Sequence, residues 1–532
     1  MNCFGYTEPM EQPNLLEIPD QGEPSQPLVI VALPKEAPER KWKLINRDQQ
    51  VWTTVDVEAM IALDHKARAI WELAGRLDLS RFAEQVKTVR GEAGRAAWEP
   101  QLMVSLWVYA YSEGISSARE IERMMNYEPA FGWLSGLQVV NHHTLSDFRM
   151  EHKAELDELF AQLLGMLELE GLLSLEQVMH DGTKIQAKAS ADTFRRQKTV
   201  LEHLERARQV VQSMGDPRQE GPESKRREAA QKRARREVEA KLEAALKELE
   251  QIREQKRGEA EKKEARVSLT EPEARVMKHA DQGYHPSYNL QISTDADNKI
   301  IVGMQLNQCA SDTPALLEGI EQVEQNLEAK LRQVVVDAGY TSRENIVATA
   351  DKGIELIGPL ADKAGQSAAA MKAAGIDPAF GPAAFQKEEE NNCLQCPAGN
   401  LLQYVRQSHK RDSEYRQYQA CGSDCLACRF QAQCCPKNPA QGRTVSILME
   451  KAEVLAFQQR MQQPEAQKIY KRRGEVAEFP NAWIKDKLGV RKFRVFGLAK
   501  AATEALWACL TYNVMQWVRL VWRRPVEALA AA

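Results

Sequence analysis

Residues 175–187 read LEQVMHDGTKIQA, a stretch with an apolar pattern that contains Asp181. The apolar residues on either side of Gly182 predict a buried strand that presents this carboxylate. A second stretch, LRQVVVDAGY at 331–340, predicts another strand that ends at Asp337. Two such strands indicate a metal site at the edge of a sheet, because Mg²⁺ prefers carboxylate oxygens. Taken alone, either aspartate is equally typical of a turn or a helix start.

The composition indicates several domains and no membrane segment. The chain has 532 residues, of which 43% are hydrophobic, and this length predicts about two to four domains. The net charge of −4 and the pI near 6.2 mean that any nucleic-acid surface must be a local patch. No run of roughly 18 apolar residues and no signal peptide are visible. We therefore expect a reducing, cytoplasmic setting, in which clustered cysteines favour metal binding over disulfides.

The first third of the chain predicts an arm and a helical domain. Residues 1–45 are rich in proline and acids, which predicts a disordered N-terminal arm. Residues 46–165 predict a helical N-terminal domain, compatible with DNA binding or dimerisation. Within it, the segment NHHTLSDFR at 141–149 predicts a helix start with Thr144 as the cap and Asp147 as its partner. The two histidines before the cap are either ligands or phosphate contacts, or simply flank the helix.

Residues 166–500 predict a mixed α/β domain. The order strand, hairpin, helix, strand, short helix, strand favours a mixed sheet. A charged insert at 195–268 is rich in Ala, Glu, Lys and Arg, and predicts a long solvated helix or a helical hairpin. Its basic blocks at 225–227 and 232–236 either face solvent without a partner or follow the phosphates of a polyanion. Residues 501–532 predict a C-terminal helix.

A second insert, at 361–450, is Gly- and Ala-rich and then cysteine-rich. Two CxxC pairs about thirty residues apart can close a tetrahedral thiolate site, for which zinc is the favoured ion. Such a site would be structural, because four thiolates leave no open position for water. The alternative is a set of reduced cysteines without a metal. More than one set of four ligands is possible, and the candidates are Cys393, Cys396, Cys421, Cys425, Cys428 and Cys434, with Cys435 adjacent.

A third acid is predicted in a densely charged stretch. Residues 470–485 read YKRRGEVAEFPNAWIK. On helical spacing, Glu478 and Lys485 share a face, and Glu475 lies beside Glu478. Such a cluster is either a set of surface ion pairs or, because bases outnumber acids, a site for a polyanion. Pro480 should interrupt a helix interior unless a helix begins nearby.

These stretches together resemble a known family. The chain is similar to the DDE transposases of bacterial insertion sequences, in the IS-four-like group with a Y-R-E-K signature and a subgroup with a cysteine-rich insert. The matching blocks are 141–149, 179–187, 288–291, 336–340 and the signature residues Tyr470, Arg473, Glu478 and Lys485. One departure is that four residues separate Arg473 from Glu478, where the group usually has three. This departure keeps Glu475 as a rival third acid.

The resemblance implies an RNase H-like catalytic fold. In that fold Asp181, Asp337 and Glu478 would bind two Mg²⁺ or Mn²⁺ ions. Two metal ions activate the attacking oxygen and stabilise the leaving oxygen of a phosphodiester.

The resemblance also implies the partners. These are double-stranded DNA, as transposon terminal inverted repeats and target DNA, and a second copy of the chain on that DNA. The phosphates would be held by Tyr470, Arg473 and Lys485. The expected activity is cleavage and strand transfer. Two alternatives stay open, a metal-dependent nuclease on the same fold and a catalytically inactive DNA-binding relative.

Overall fold

The first predicted strand lies in the middle of the main sheet of the protein. The computed structural model describes residues 47–48, 50, 54–84, 86, 96–212, 222–256, 258–360, 371–388, 391–410 and 413–523. The predicted N-terminal arm at 1–45 and the last residues of the predicted C-terminal helix, 524–532, lie outside the described residues.

A six-stranded mixed sheet carries the segments that contain both predicted aspartates. The strands up to residue 357 are β1 (Gln177–Gln186), β2 (Phe194–Arg196), β3 (Arg266–Ser268), β4 (Arg275–Lys278), β5 (Tyr284–Asp295), β6 (Ile301–Asn307), β7 (Gln333–Val335) and β8 (Glu355–Ile357). β5 pairs antiparallel with β1, β4 and β6, whereas β7 pairs parallel with β1 and β8. β2 and β3 form a separate ribbon. The mixed α/β class and the predicted hairpin are confirmed.

Seven α-helices precede the sheet in the described part of the chain. They are α1 (Lys66–Arg76), α2 (Ser80–Glu84), α3 (Pro100–Ser112), α4 (Ala118–Met124), α5 (Pro129–Ser135), α6 (His142–Glu151) and α7 (Lys153–Leu169), after a 3-10 turn at Glu58–Met60. The predicted cap of α6 is wrong. Asn141 is the cap, because its side chain accepts a hydrogen bond from the backbone N–H of His143. Asparagine is the better cap residue, so α6 begins before Thr144.

The charged insert folds as a helical hairpin, as predicted. Its helices are α8 (Gln197–Gln212), α9 (Pro222–Gln255) and the short α10 (Glu259–Lys263), with a 3-10 turn at Ala191–Thr193 before them. Val200 of α8 packs in one buried cluster with Ala245 and Leu249 of α9. Because residues near the start of α8 meet residues near the end of α9, the two helices run antiparallel.

Further helices follow in the described part of the second half of the chain, and they include one on each face of the main sheet. They are α11 (Ala315–Leu327), α12 (Arg343–Asp351), α13 (Gly422–Leu426), α14 (Gln431–Cys434), α15 (Ala452–Met461), α16 (Pro464–Lys471), α17 (Arg473–Asp486) and α18 (Leu498–Trp517), which continues as a π-helical turn at Val518–Trp522. Side chains of a strand alternate between its faces. His180 therefore lies against Gly319 of α11, and Asp181 lies against α17.

The cysteine-rich segment contains a second sheet that the sequence did not predict. Five antiparallel strands are arranged in the order β13 (Thr444–Met449), β12 (Ser413–Ala420), β11 (Leu401–Lys410), β10 (Cys393–Gln395) and β9 (Gln386–Glu388), with 3-10 turns at Pro378–Phe380, Pro382–Ala384 and Pro439–Gln441. Residues 403–407 of β11 are all exposed, so this strand lacks the alternation of apolar and polar residues that identifies a half-buried strand.

The apolar core continues from the N-terminal helices into the sheet. The contacts of the chain divide it between Val55 and Asp56, and residues 56–532 form one unit. Within this unit Trp107 of α3 packs against Trp507 of α18, and Asn513 of α18 bonds to the backbone of Ile301. The predicted boundaries at 165 and 500 stay predictions. No helix in the described part is long and apolar enough to cross a membrane.

Candidate active site

Asp181 is a buried carboxylate that α17 contacts on both oxygens. Its side chain is 13% exposed, and Oδ1 accepts a hydrogen bond from Arg473 Nη2 at 2.7 Å. Oδ2 accepts one from Asn481 Nδ2 at 3.1 Å. Burial raises the pKa of Asp181 to about 6, because removing the carboxyl from water penalises its charged form and Arg473 only partly opposes this.

Three acids from distant parts of the sequence face the guanidinium of Arg473. Besides the contact with Asp181, Arg473 Nη2 lies 3.7 Å from Asp337 Oδ2, and Nη1 lies 4.0 Å from Glu478 Oε1. Asp337 follows β7, and its other oxygen accepts the backbone N–H of Gly339 at 2.7 Å. The exposed fractions of the Asp337 and Glu478 side chains are 39% and 68%. The three predicted acids thus lie around one cation.

The two candidate third acids point in different directions. Glu478 is directed toward Arg473, whereas Glu475 Oε1 pairs with Lys299 Nζ at 3.1 Å. α17 begins at Arg473 and continues through Pro480, which is buried in its interior. The expected interruption is therefore absent, and the helix continues through Pro480 while it packs on β1 and β5.

The remaining signature residues have different surroundings. Tyr470 packs beside an apolar cluster that includes Met179 and Val335, beneath the strand ends. Lys485 is partly buried, and burial followed by the nearby positive charge of Arg491 lowers its pKa, while Asp181 raises it. Lys485 therefore lies near both Arg491 and Asp181, whereas Tyr470 belongs to the apolar packing around Met179 and Val335.

Sequence reasoning missed the contact of Asn481 with Asp181. The signal was available, since Asn481 is three residues after Glu478 and such residues are neighbours on a helix. Its Nδ2 also donates to the backbone carbonyl of Ala477, and its buried Oδ1 has no hydrogen-bond partner among the described residues. This side chain therefore fixes the rotation of Asp181.

Two segments of the chain match protein-family models. Residues 395–518 match the model of a transposase DDE domain, which includes α17 with Arg473 and Glu478. Residues 55–151 match the model of a transposase domain. Both segments are therefore similar to transposase domains. Asp181 and Asp337 lie outside the two matches.

Other comparisons are weaker. A cryo-EM structure of the piggyBac transposase synaptic complex with hairpin DNA is 8% identical, covering 85% of this chain and 72% of that chain with a TM-score of 0.31. At that score the likeness supports no inference. Comparison with curated proteins finds no significant match.

The two-metal site expected of a transposase is not formed by the acids as they stand. Across the described ranges, no group of three or more His, Cys, Asp or Glu side chains is arranged to hold a metal ion. The Arg473 guanidinium lies among the three carboxylates instead. The donors themselves fit, because carboxylate oxygens are the ligands that Mg²⁺ and Mn²⁺ prefer.

The seven cysteines of the cysteine-rich segment divide into two groups. Five of them line one small cavity of about 30 Å³, and they are Cys396, Cys425, Cys428, Cys434 and Cys435. Two of the predicted ligands lie elsewhere: Cys393 Sγ is 3.0 Å from Glu388 Oε2, and Cys421 is exposed beside Ser423. The cavity thus separates these two cysteines from the other four predicted candidates and adds Cys435 to those four.

The raised pKa of Asp181 predicts a pH-dependent effect of Asp181→Asn on stability. Between the ordinary pKa of about 4 and the folded value of about 6, the folded state binds more protons than the unfolded state. The contribution of the Asp181 carboxyl to the free energy of unfolding therefore falls as pH rises through that window. Asparagine does not titrate, so the variant does not show this fall. We expect the free energy of unfolding of the variant to gain about 2 kcal/mol on the wild type between pH 4.5 and 7.5.

Urea denaturation without divalent ions at both pH values measures this difference. Glu475→Gln is the control, because Glu475 is an exposed acid of the same helix. An equal difference between Asp181→Asn and wild type at both pH values would contradict the raised pKa.

Proposed function

We propose that the protein is a DDE transposase that cleaves and joins DNA at the ends of an insertion sequence. The observation that carries the proposal is the meeting of Asp181, Asp337 and Glu478 around Arg473, on segments up to about 300 residues apart. A surface ion-pair cluster would not need a buried aspartate, and burying a charge is costly unless it is paired. The two transposase-domain matches support the same function.

The acids would hold divalent metal ions, Mg²⁺ or Mn²⁺, when DNA is bound. Such ions supply an activated oxygen nucleophile and stabilise the leaving oxygen of the phosphodiester. Asp181 would be the most rigid of the three, because Asn481 fixes its rotation. Asp337 is oriented by the N–H of Gly339. Glu478, the most exposed acid, would adjust when DNA enters.

Arg473 would leave the acids and bind a DNA phosphate. Its guanidinium has five N–H donors in a planar fork that suits phosphate as well as carboxylate. Its Nε is buried and has no hydrogen-bond partner in the part of the chain that the structure describes. An unsatisfied buried donor is costly, so the present position is not optimal for this side chain. Lys485 lies nearby on the same helix and would bind a neighbouring phosphate.

Purified protein and DNA that carries the sequences flanking its gene test the proposal. With Mg²⁺ or Mn²⁺ we expect cleavage at the ends of inverted repeats and joining of those ends to a target. Cleavage without joining would indicate the nuclease alternative. Binding of the ends without cleavage would indicate the inactive relative. Size measurement of the protein–DNA complex tests the proposed homodimer.

For the cysteine-rich segment we propose a structural zinc ion. The support is the shared cavity, together with two backbone N–H groups that bond to thiols: Phe430 to Cys428 Sγ at 3.4 Å and Arg443 to Cys425 Sγ at 3.3 Å. Burial raises the pKa of Cys434 to about 11, so zinc would have to displace protons from neutral thiols. The sulfur atoms would also have to rearrange, since the described residues contain no cysteine group arranged to hold a metal ion.

Elemental analysis of reduced protein should then give about one zinc per chain, as expected of a four-thiolate structural site. Cys425→Ser with Cys428→Ser should remove the metal and unfold residues 391–436, because zinc binding energy is folding energy in such segments. Cys393→Ser is the matched control and should keep the zinc, since its thiol faces Glu388. Wild-type protein without zinc would refute the proposal.

A further inference from the structure

Asp312 is a partly buried acid that sequence reasoning did not consider. It lies in the loop between β6 and α11, and its Oδ1 accepts two hydrogen bonds from β5. The donors are Asn289 Nδ2 at 2.7 Å and Gln291 Nε2 at 2.9 Å. Both amide side chains are fully buried. The position of this carboxylate is therefore fixed by two donors that have no access to water.

This contact lies behind the strand that presents Asp181. Gln291 is directly opposite Gly182 in the pairing of β5 with β1, so the two residues share a face of the sheet. Asp181 is on the other face, against α17. Asp312 and Gln291 thus support β1 from the side opposite to the Asp181 carboxylate.

The Gln291 amide connects the two strands that carry the aspartates. Its Oε1 accepts a hydrogen bond from the hydroxyl of Tyr340, and it lies 3.1 Å from His180 Nε2. His180 Nδ1 lies 2.8 Å from Ser293 Oγ, which can donate to it and leave Nε2 as the donor to Gln291. His180 directly precedes Asp181, and Tyr340 is three residues after Asp337. One side chain therefore contacts both the middle of β1, next to Asp181, and the turn that follows Asp337.

Two further features hold the loop of Asp312 in place. A Cβ atom at Gly182 would lie 2.7 Å from Asp312 Oδ1, so only glycine at this position lets the carboxylate approach β1. The neighbouring Thr313 donates its hydroxyl to the backbone carbonyl of Gly339 at 2.7 Å. The loop is thereby joined to β1 and to the turn that follows Asp337.

We propose that Asp312 is a positioning residue of the candidate active site. Through Gln291 it holds the middle of β1 and the turn after β7 in place, so that Asp181 and Asp337 keep a fixed separation. This inference rests on the proposed DNA cleavage at these acids. Without its acceptor, the buried amide of Gln291 would turn and release Tyr340 and His180.

Four variants test the proposal. Asp312→Ala removes the acceptor, whereas Asp312→Asn keeps an acceptor oxygen without the charge. Tyr340→Phe removes one hydroxyl, and Asp351→Ala is a matched control on an exposed acid. The cleavage rate of bound DNA should fall about a hundredfold in Asp312→Ala, because a displacement near 1 Å can cost that much. DNA affinity should change by less than about threefold, since no phosphate contact is lost. Asp312→Asn should recover most of the rate, and Tyr340→Phe should be intermediate.

Hydrogen exchange without DNA gives a second measurement that does not depend on activity. Amides at 179–182 and 338–341 should exchange faster in Asp312→Ala and in Tyr340→Phe, and should match the wild type in Asp312→Asn and Asp351→Ala. If the wild type does not cleave DNA, the proposed function fails, and exchange alone decides the positioning role.

Three outcomes would overturn the inference. One is a wild-type cleavage rate in Asp312→Ala. Another is an Asp312→Asn protein as slow as Asp312→Ala, because the charge would then act directly. The third is unchanged exchange in both segments. If Asp312→Ala does not fold, the same comparison between Tyr340→Phe and the wild type decides.

Discussion

Replacing Asp181, Asp337 or Glu478 with alanine is expected to remove DNA cleavage and leave DNA binding nearly unchanged. Each substitution deletes carboxylate oxygens that would hold metal ions, whereas the phosphate contacts of basic residues remain. The rate should fall by at least about 10²–10³-fold, the usual cost of losing one group that stabilises the transition state. Nicking of end DNA and a gel-shift assay on the same protein samples measure the two effects separately.

Glu475→Ala is the matched control for this series. Glu475 is an acid of the same helix, three residues from Glu478, and it pairs with Lys299 instead of Arg473. It should therefore cleave DNA at the wild-type rate. Activity that persists in one of the three variants removes that residue from the set. An inactive Glu475→Ala with an active Glu478→Ala would mean that the Lys299 pair opens when DNA binds.

Five of the six strands of the main sheet were predictable because their signals are local. Runs such as QVVVD combine β-branched residues with a turn, and β7 forms there. The hairpin of β5 and β6 was visible for the same reason. The choice between Glu475 and Glu478 was not local, because it depends on whether Lys299 or Arg473 is the partner, and both partners are decided by the tertiary fold.

Other features depend on contacts between residues that are far apart in the sequence. Arg473 was interpreted as a phosphate ligand, and its position among three acids follows only when α17 packs on β1. Asp312 has no motif around it, and its partners lie about 20 residues earlier on β5. The sheet of the cysteine-rich segment was missed because its longest strand is exposed and polar. Sequence patterns of this kind report burial, so exposed strands and distant polar pairs are invisible to them.

The basic block of α9 is expected to supply DNA affinity without contributing to cleavage. Lys232, Arg233, Arg235 and Arg236 have no ion-pair partner within the part of the chain that the structure describes. Each phosphate contact makes the slope of log affinity against log salt concentration more negative by about 0.9 on duplex DNA. Replacing all four with glutamine should make this slope less steep by up to about 3.6. Binding should weaken for all DNA sequences alike, and the cleavage rate of bound DNA should stay unchanged.

Two further variants distinguish this role from that of the acid site. Lys485→Ala should reduce the slope by about one contact and also slow cleavage, because Lys485 lies near Asp181 and would position the phosphate. Arg208→Ala is the control on the same hairpin, since Arg208 already pairs with Glu239 and Glu243, and its slope should equal that of the wild type. Affinity across a salt series for all three proteins decides between the interpretations. If neutralising the α9 block leaves the slope unchanged, the hairpin is a solvated element without a DNA contact, and the affinity of the protein must come from the basic residues beside the acids.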